Sequence, residues 1–213
     1  MIKIDTILTT YLETNTYIVY DSKAKEGAVV VDPGGDYDKI KGALSGIGRR
    51  CEYVLLTHGH FDHMNAAAEF QKEGATVICH SADADKLSSY RSLAHFAGLM
   101  TNKLTPDITL KGGETLNLCG MSFKAIHTPG HTEGGMCYIV EDKIFCGDTI
   151  FRFSYGRYDF YGGSFQKLKN SIINKIFNLK GDYVLYPGHG EPSTLDEERK
   201  YNPIKIDTEQ DEN

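Results

Sequence analysis

The stretch THGHFDH, residues 57–63, carries four side chains that can bind a metal and directly follows the apolar run YVLL at residues 53–56. Imidazole nitrogen and carboxylate oxygen are ligands that zinc binds well. The apolar run has the length of a buried strand, and Gly59 allows a tight turn that lets the histidines on either side of it converge. The sequence therefore predicts a metal site at the C-terminal end of a strand, with the candidate ligands His58, His60, Asp62 and His63.

Three later segments repeat the same order of an apolar run, a glycine-containing turn and a histidine or aspartate. They are FKAIHTPGH at 123–131, IFCGD at 144–148 and YVLYPGH at 183–189. Loops at one edge of a sheet can converge on a common crevice, so we expect all four loops to open onto one sheet edge. The further candidate ligands are His131, Asp148 and His189. A single four-coordinate zinc needs fewer than these seven ligands, whereas two metals that share Asp148 would use them all.

Apolar runs and helical spacings alternate along the rest of the chain. Runs of strand length predict strands at residues 2–8, 16–20, 28–31, 76–79, 115–118, 122–126, 136–140, 143–146 and 183–186, with one more around Ile108. Helical spacing predicts helices over 40–47, from 66 to near Gly74, and from the capping residue Ser164 to before Gly181. The weak pattern at 83–104 indicates a helical or loop excursion that could cover a site.

Strands at both ends of the chain, mixed with helices, predict one layered domain of α and β structure rather than a helical bundle or a pure β-barrel. We expect this single domain to span residues 1–204. The remaining residues, 205–213, are polar and acidic and are expected to fray.

The composition limits the classes of function. A net charge of −6 argues against a non-specific nucleic-acid binder, which needs an excess of Lys and Arg. No run of about 18 apolar residues is present to span a membrane, and the start of the chain alternates apolar and charged residues instead of forming a secretory signal. The five cysteines lack C-x-x-C spacing, which favours buried free thiols in a cytoplasmic protein. We therefore expect neither a nucleic acid nor a membrane as a partner.

Four motifs resemble the metallo-β-lactamase superfamily in their order along nearly the whole chain. They are H-x-H-x-D-H at 58–63, T-P-G-H-T at 128–132, G-D-T at 147–149 and P-G-H-G at 187–190. The resemblance implies an α+β fold, a four-layer αββα sandwich. It also implies two zinc ions per chain, with iron or manganese as alternatives. One metal would be held by His58, His60, His131 and Asp148, and the other by Asp62, His63, Asp148 and His189.

The segment from Asp148 to Arg157 is most similar to single-domain relatives of glyoxalase II, which are thioester hydrolases. The resemblance implies a small-molecule thioester substrate of the hydroxyacyl-glutathione type. A water shared by two cations exists as hydroxide near neutral pH and can attack the carbonyl, and Asp62 is the residue expected to orient it. The candidate substrate-binding residues are Arg157, Tyr155 and Tyr158. As an alternative, Arg157 only pairs with nearby Asp159.

Three other activities of the same superfamily stay open at this point. A persulfide dioxygenase shares H-x-H-x-D-H and a segment like GRYDF at 156–160, and would bind one iron through His58, His131 and Asp148. A β-lactamase is less favoured because its best-known subclass has a cysteine where Asp148 stands. A ribonuclease would need a basic surface for RNA. The identity of the metal separates the oxygenase from the hydrolase, while the acyl group, the thiol and the oligomeric state are not predicted.

Overall fold

Two six-stranded sheets form the centre of the fold in the computed structural model, which describes residues 1–24, 27–100 and 103–207. The first sheet has the order β1 (Ile2–Leu8), β2 (Asn15–Asp21), β3 (Gly27–Val31), β4 (Arg50–Leu55), β5 (Thr76–His80) and β6 (Ile108–Leu110). Strands β1 to β3 are antiparallel, as the short connections between them require, whereas β3 to β6 are parallel and are joined by crossovers. The crossovers contain α1 (Tyr37–Gly46), α2 (Phe61–Met64), α3 (Ala67–Lys72) and three 3₁₀ helices (Ser81–Ser88, Tyr90–Ser92 and Ala94–Ala97).

The second sheet contains most of the strands from the other half of the chain. Its elements in chain order are β7 (Thr115–Leu118), β8 (Met121–His127), β9 (Met136–Val140) and β10 (Lys143–Gly147), then the separate hairpin β11 (Ile150–Phe151) and β12 (Ser154–Tyr155), and finally β13 (Val184–Pro187) and β14 (Ser193–Thr194). Its spatial order is β14-β13-β10-β9-β8-β7. The helices are α4 (Phe165–Asn170), a π-helix (Ser171–Ile176), α5 (Leu195–Tyr201) and a final 3₁₀ helix (Pro203–Lys205).

Side-chain alternation sets the layers. On β8, Met121, Phe123 and Ala125 are buried between the sheets while Ser122 and Lys124 are exposed, which is the pattern of a strand with one solvated face. All of β9 is buried, because its two faces contact different layers. Its inner face packs against the first sheet, and its outer face packs against the helical layer that contains α4.

The four layers are completed by helices on both outer faces. Ile40 and Leu44 of α1 and Phe70 of α3 cover the first sheet, and Phe165 and Leu168 of α4 cover the second. The four-layer αββα sandwich implied by the resemblance is therefore confirmed. In the described part of the chain, no helix combines the length and the apolar composition needed to cross a bilayer.

Helix α5 and strand β14 are absent from the sequence prediction. The helix has few apolar residues, so it shows little helical periodicity. Its start nevertheless carries a capping box. The Thr194 hydroxyl accepts from the Glu197 backbone N–H, and the Glu197 carboxylate accepts from the Thr194 backbone N–H. The pattern T-x-x-E at 194–197 was thus a usable signal for this helix.

The chain is held against the domain beyond the boundary predicted at residue 204. Lys205 is the last residue of a 3₁₀ helix, and Asp207 accepts hydrogen bonds from the Tyr155 hydroxyl and the Lys169 ammonium. Residues 205–207 therefore contact the domain, although we expected them to belong to a frayed tail. The rest of the predicted tail, residues 208–213, lies outside the described residues.

The two sheets are also joined by polar contacts at the end where the candidate ligands lie. The buried Tyr138 hydroxyl on β9 donates to the Leu56 carbonyl at 2.9 Å, directly before the 57–63 segment. The Tyr17 hydroxyl on β2 donates to the Pro187 carbonyl at 2.6 Å. These bonds position the end of β4 against β9, and β2 against the end of β13.

We expect Tyr138→Phe to lower the free energy of unfolding by about 1–3 kcal/mol, because the Leu56 carbonyl then loses the Tyr138 donor in a buried place. Urea unfolding followed by circular dichroism measures this change. Tyr161→Phe is the matched control, since Tyr161 is exposed, and it should change stability by less than about 0.5 kcal/mol. Equal effects of the two substitutions would show that the bond to Leu56 does not stabilise the sandwich.

Candidate metal centre

Three imidazole nitrogens converge at the end of the sandwich. His58 Nε2 lies 3.0 Å from His60 Nδ1, and His131 Nε2 lies 3.2 and 2.9 Å from these two atoms. Burial and the neighbouring histidines lower the pKa of His58 well below its ordinary value, and burial and His131 lower the pKa of His60 to about 3. The rings of His58 and His60 are thus neutral, the form in which imidazole binds a metal.

A second group of donors lies beside the first. Oδ2 of Asp62 lies 3.3 Å from both His63 Nε2 and His189 Nε2. Burial alone would raise the pKa of Asp62, but His63 and His189 hold it well below its ordinary value. Asp62 is therefore an ionised carboxylate whose charge is available to a cation.

Asp148 lies between the two groups. Its Oδ1 is 3.3 Å from His63 Nε2, while its Oδ2 is 3.5 Å from His131 Nε2 and 3.6 Å from His189 Nε2. Burial would raise the pKa of Asp148, but His63 lowers it far below its ordinary range. Residue 188 has to be glycine for the Asp148 carboxylate to lie here, because a Cβ at residue 188 would lie 2.2 Å from Asp148 Oδ1.

Two atoms test whether this arrangement fits a metal. His63 Nε2 and Asp148 Oδ1 are fully buried and have no hydrogen-bond partner among the described residues. A buried polar atom without a hydrogen-bond partner lowers the stability of the fold. A cation bound between His63 Nε2 and Asp148 Oδ1, among the other nitrogen and oxygen donors, would give both atoms a partner. The donors form three sets of close atoms: His58, His60 and His131; His58, His63 and Asp148; and Asp62, His63 and His189. The residues present therefore fit a metal centre with nitrogen and oxygen ligands.

The seven predicted ligands come together, but they do not share one sheet edge. His58 to His63 follow β4 of the first sheet, whereas His131, Asp148 and His189 follow β8, β10 and β13 of the second sheet. Within the second sheet these three strands run in the same direction, so their C-terminal ends lie together. The expectation of a single sheet edge is wrong, because packing of the two sheets is what joins the loops.

Hydrogen bonds behind the donors fix the orientation of the rings. Asp32 Oδ2 accepts from His63 Nδ1 at 2.9 Å and from the Thr57 hydroxyl at 2.6 Å. The carbonyls of Arg157 and Leu12 accept from Nδ1 of His131 and His189 at 2.7 and 3.0 Å. Since carbonyl and carboxylate oxygens only accept, Nδ1 carries the proton in these rings and Nε2 faces the centre.

Asp32 is not among the functional residues predicted from the sequence, because the segment DPGG at 32–35 has the composition of a turn. It follows the apolar strand β3 in the same way as the predicted ligands follow their own strands. This repeated order of strand and aspartate was the available signal. Its carboxylate also accepts from the Thr57 backbone N–H at 2.7 Å, which holds the start of the ligand loop.

A buried ion pair joins two ligand loops. Asp83 Oδ2 accepts from the Gly59 N–H at 3.0 Å and the Thr132 hydroxyl at 2.7 Å, and Asp83 Oδ1 accepts from the Gly134 N–H and the Lys86 ammonium, both at 2.9 Å. Both side chains of the pair are almost completely buried. Asp83 therefore ties the loop after β4 to the loop after β8. No sequence pattern indicated this role, because both residues lie at the start of the weak 83–104 segment.

An open cavity of about 620 Å³ lies over the donors. Its floor includes His60, Asp62, His131, Asp148 and His189. Leu93 and Phe96 of the 83–104 segment line its wall, so part of this segment does cover the site, as expected. The remaining walls are largely apolar.

Two of the three predicted substrate-binding residues line the cavity, and the third does not. Arg157 and Tyr155 line the cavity. Arg157 also makes two hydrogen bonds with Asp159, of 2.6 and 2.5 Å, and the Tyr155 hydroxyl donates to Asp207 at 2.7 Å. Tyr158 is not among the described residues that line the cavity, and its ring packs against Phe165 at 5.1 Å. The position of Tyr158 therefore gives no support to its predicted contact with substrate.

A four-layer sandwich with a His and Asp cluster at the end of its central core, open to a cavity, defines a class of metal-binding hydrolases. The chain belongs to the metallo-β-lactamase superfamily, whose family model matches residues 9–189.

Three similar proteins show the range of the family. Hydroxyacylglutathione hydrolase GloC from Haemophilus influenzae is 32% identical over 207 residues, which cover 94% of this chain and 97% of the relative. The crystal structure of BLEG-1 B3 metallo-beta-lactamase is similar with a TM-score of 0.89 and 32% identity, covering 97% of this chain and 100% of that chain. TTHA1623 in a di-iron-bound form is similar with a TM-score of 0.83 and 30% identity, covering 94% and 99%.

We expect Asp148→Ala to retain less zinc than His189→Ala, because Asp148 faces both donor groups whereas His189 serves one. Loss of the carboxylate also removes negative charge between bound cations. Elemental analysis after dialysis against zinc measures the content of each variant, with His95→Ala as a control outside the donor set. Higher zinc content in Asp148→Ala than in His189→Ala would contradict a shared role for Asp148.

The Asp83–Lys86 pair gives a second prediction. Lys86→Met should lower the free energy of unfolding by about 3–5 kcal/mol, because it leaves the buried Asp83 carboxylate without its cation. The double variant Asp83→Asn with Lys86→Met removes both charges and should recover part of this loss. Urea unfolding measures the stability, and titration of the folded variants measures zinc affinity. A loss below about 1 kcal/mol, with unchanged zinc affinity, would show that the pair does not hold the ligand loops.

Proposed function

We propose that this metallohydrolase is a binuclear enzyme that hydrolyses thioesters of the hydroxyacyl-glutathione type. The observation that carries the proposal is the position of Asp148, whose carboxylate lies within 3.6 Å of nitrogens from both donor groups at the floor of one cavity. The similarity to the Haemophilus influenzae hydroxyacylglutathione hydrolase over nearly the full length of both chains supports the choice of a thioester.

We assign one metal to His58, His60, His131 and Asp148, and a second metal to Asp62, His63, Asp148 and His189. The mixture of imidazole and carboxylate donors suits zinc, and it also suits iron or manganese. A metal pair of this kind polarises a carbonyl oxygen and acidifies water so that it is nucleophilic near neutral pH. The second donor group favours two metals over a single iron, because one iron would use only His58, His131 and Asp148.

Asp62 is suited to orient the attacking water. It lines the cavity, and the Thr14 hydroxyl donates to its Oδ2 at 3.0 Å. Because its pKa is held well below the ordinary value by His63 and His189, despite burial, it accepts hydrogen bonds at neutral pH. A water that donates to Asp62 is held at the floor of the cavity, next to where a carbonyl would enter.

The leaving group explains how the site works without a dedicated acid. A thiol has a pKa near 8.5, so it departs as a thiolate at little cost near neutral pH. We place the enzyme in the cytoplasm and expect a small-molecule substrate rather than a nucleic acid. All five cysteines are free thiols in the structure, which supports the reducing compartment.

We expect the zinc-loaded protein to release thiol from 2-hydroxyacyl thioesters and to lose this activity on removal of zinc by a chelator. Asp62→Asn has the same size as the wild-type residue but no charge, and it should lower kcat by about a hundredfold or more. Thiol release is measured with a chromogenic disulfide, and zinc content is measured in parallel to separate a catalytic loss from a loss of metal.

Two further assays distinguish the alternative activities. Oxygen uptake with a persulfide, measured on protein loaded with iron, tests the oxygenase. Hydrolysis of a chromogenic cephalosporin tests for β-lactamase activity. This assay is needed because the chain is similar to the BLEG-1 B3 metallo-beta-lactamase. Metal-loaded protein that is active in either assay and hydrolyses no thioester would contradict the proposal.

A further inference from the structure

The walls of the cavity differ in chemistry from its floor. Six apolar side chains line them: Leu12, Phe61, Leu93, Phe96, Phe151 and Phe160. Phe160 lies with its ring centroid 6.0 Å from that of His60 and 6.3 Å from that of Phe96, so the aromatic surface extends from the floor to the rim. A group attached to a carbonyl at the floor would therefore contact hydrocarbon.

Two of these side chains are held there at a cost to the backbone. Leu12 and Leu93 have φ angles of +52° and +67°, in the left-handed region that leucine rarely adopts. Leu12 is 65% exposed and Phe96 is 72% exposed, so neither side chain is part of the buried hydrophobic core. Strained backbone and exposed apolar side chains that meet at one cavity are typical of a binding site.

The charged side chains in the walls of the cavity, away from the metal donors, do not favour an anionic group. Apart from the floor histidines, Arg157 is the one cation among the described residues that line it. Asp159 occupies Nε and Nη2 of Arg157, and the guanidinium lies over the Phe160 ring at 3.8 Å. A neighbouring cavity of about 490 Å³ shares Leu12 and His189 with the first and is lined by the acidic residues Glu13 and Glu191.

We propose that the preferred substrate is a thioester in which the group that fills the outer cavity is apolar and uncharged, such as an aromatic ring, rather than an anionic thiol such as glutathione. This inference rests on the proposed hydrolysis of thioesters, but it replaces the glutathione part of the substrate proposed above with an apolar group. The apolar group belongs either to the acyl part or to the thiol part, and both would present the same hydrocarbon surface to the walls.

Four probes separate these possibilities. Lactoyl thioesters of N-acetylcysteamine, of benzyl thiol and of glutathione vary the thiol, and the mandeloyl thioester of N-acetylcysteamine varies the acyl group. At least one phenyl-bearing probe should exceed lactoyl-N-acetylcysteamine about tenfold in kcat/KM, because ring burial favours it. The glutathione probe should not exceed lactoyl-N-acetylcysteamine. If the glutathione probe is the best of the four, the inference is wrong although thioester hydrolysis stands.

A binding measurement keeps the inference testable if no thioester is hydrolysed. Mandelate and lactate differ only in a phenyl and a methyl group, and benzyl thiol and 2-hydroxyethanethiol form a second pair. Calorimetry on the zinc-loaded protein should show about tenfold tighter binding of the phenyl-bearing member of at least one pair. Equal binding within both pairs would overturn the inference whatever the catalytic result.

Variants then test the walls. Phe96→Ala should reduce the ratio of kcat/KM for the better phenyl-bearing probe to kcat/KM for lactoyl-N-acetylcysteamine. Ile108→Ala, at an exposed apolar residue on β6, should leave this ratio unchanged.

The second variant tests the charge near Arg157. Asp159→Asn removes the charge that opposes Arg157 and should raise kcat/KM for the glutathione probe severalfold relative to lactoyl-N-acetylcysteamine. Asp142→Asn, in an ion pair with Lys143 at the start of β10, is the control for a change in net charge. If Phe96→Ala leaves the phenyl-probe ratio unchanged and Asp159→Asn leaves the glutathione-probe ratio unchanged, the assignment of the walls is contradicted.

Discussion

Many nitrogen and oxygen donor atoms are buried close together at one end of the sandwich, and the surrounding fold has to offset the cost of that burial. Five histidines and two aspartates lie with neighbouring donor atoms 2.9–3.6 Å apart, and two facing atoms have no hydrogen-bond partner among the described residues. Such a cluster is costly without a cation, because polar atoms lose water and like groups approach closely. The surrounding fold therefore has to hold the donors in place before a metal can stabilise them.

The fold meets this constraint with a second layer of polar contacts and with rigid strands. Asp32 joins the end of β3 to the ligand loop after β4, and Asp83 joins that loop to the one after β8. Tyr138 links the two sheets immediately beside the same loop. The donors thus follow strands that are fixed by the inter-sheet core, which is how a site is held to the precision that metal binding demands.

The site divides into a polar floor and apolar walls, and all the apolar wall residues except Phe61 come from parts of the chain that supply no donor. The floor follows regular strands of both sheets, whereas the walls other than Phe61 come from loops, from the 3₁₀ helices before β6 and from the hairpin β11–β12. This division separates the chemistry from the choice of substrate. Loops around a fixed centre can change the group they accept without moving the ligands.

Local sequence patterns were enough to predict most strands, the layered class and the seven donors that the structure brings together. These are local properties, because apolar runs and the ligands that follow them can be recognised within a few residues. Three features became clear only from the folded chain: how the two sheets join the four loops, the roles of Asp32 and Asp83, and the pairing of Arg157 with Asp159. The first two depend on contacts between distant segments, and the last depends on side-chain direction, neither of which a local pattern specifies.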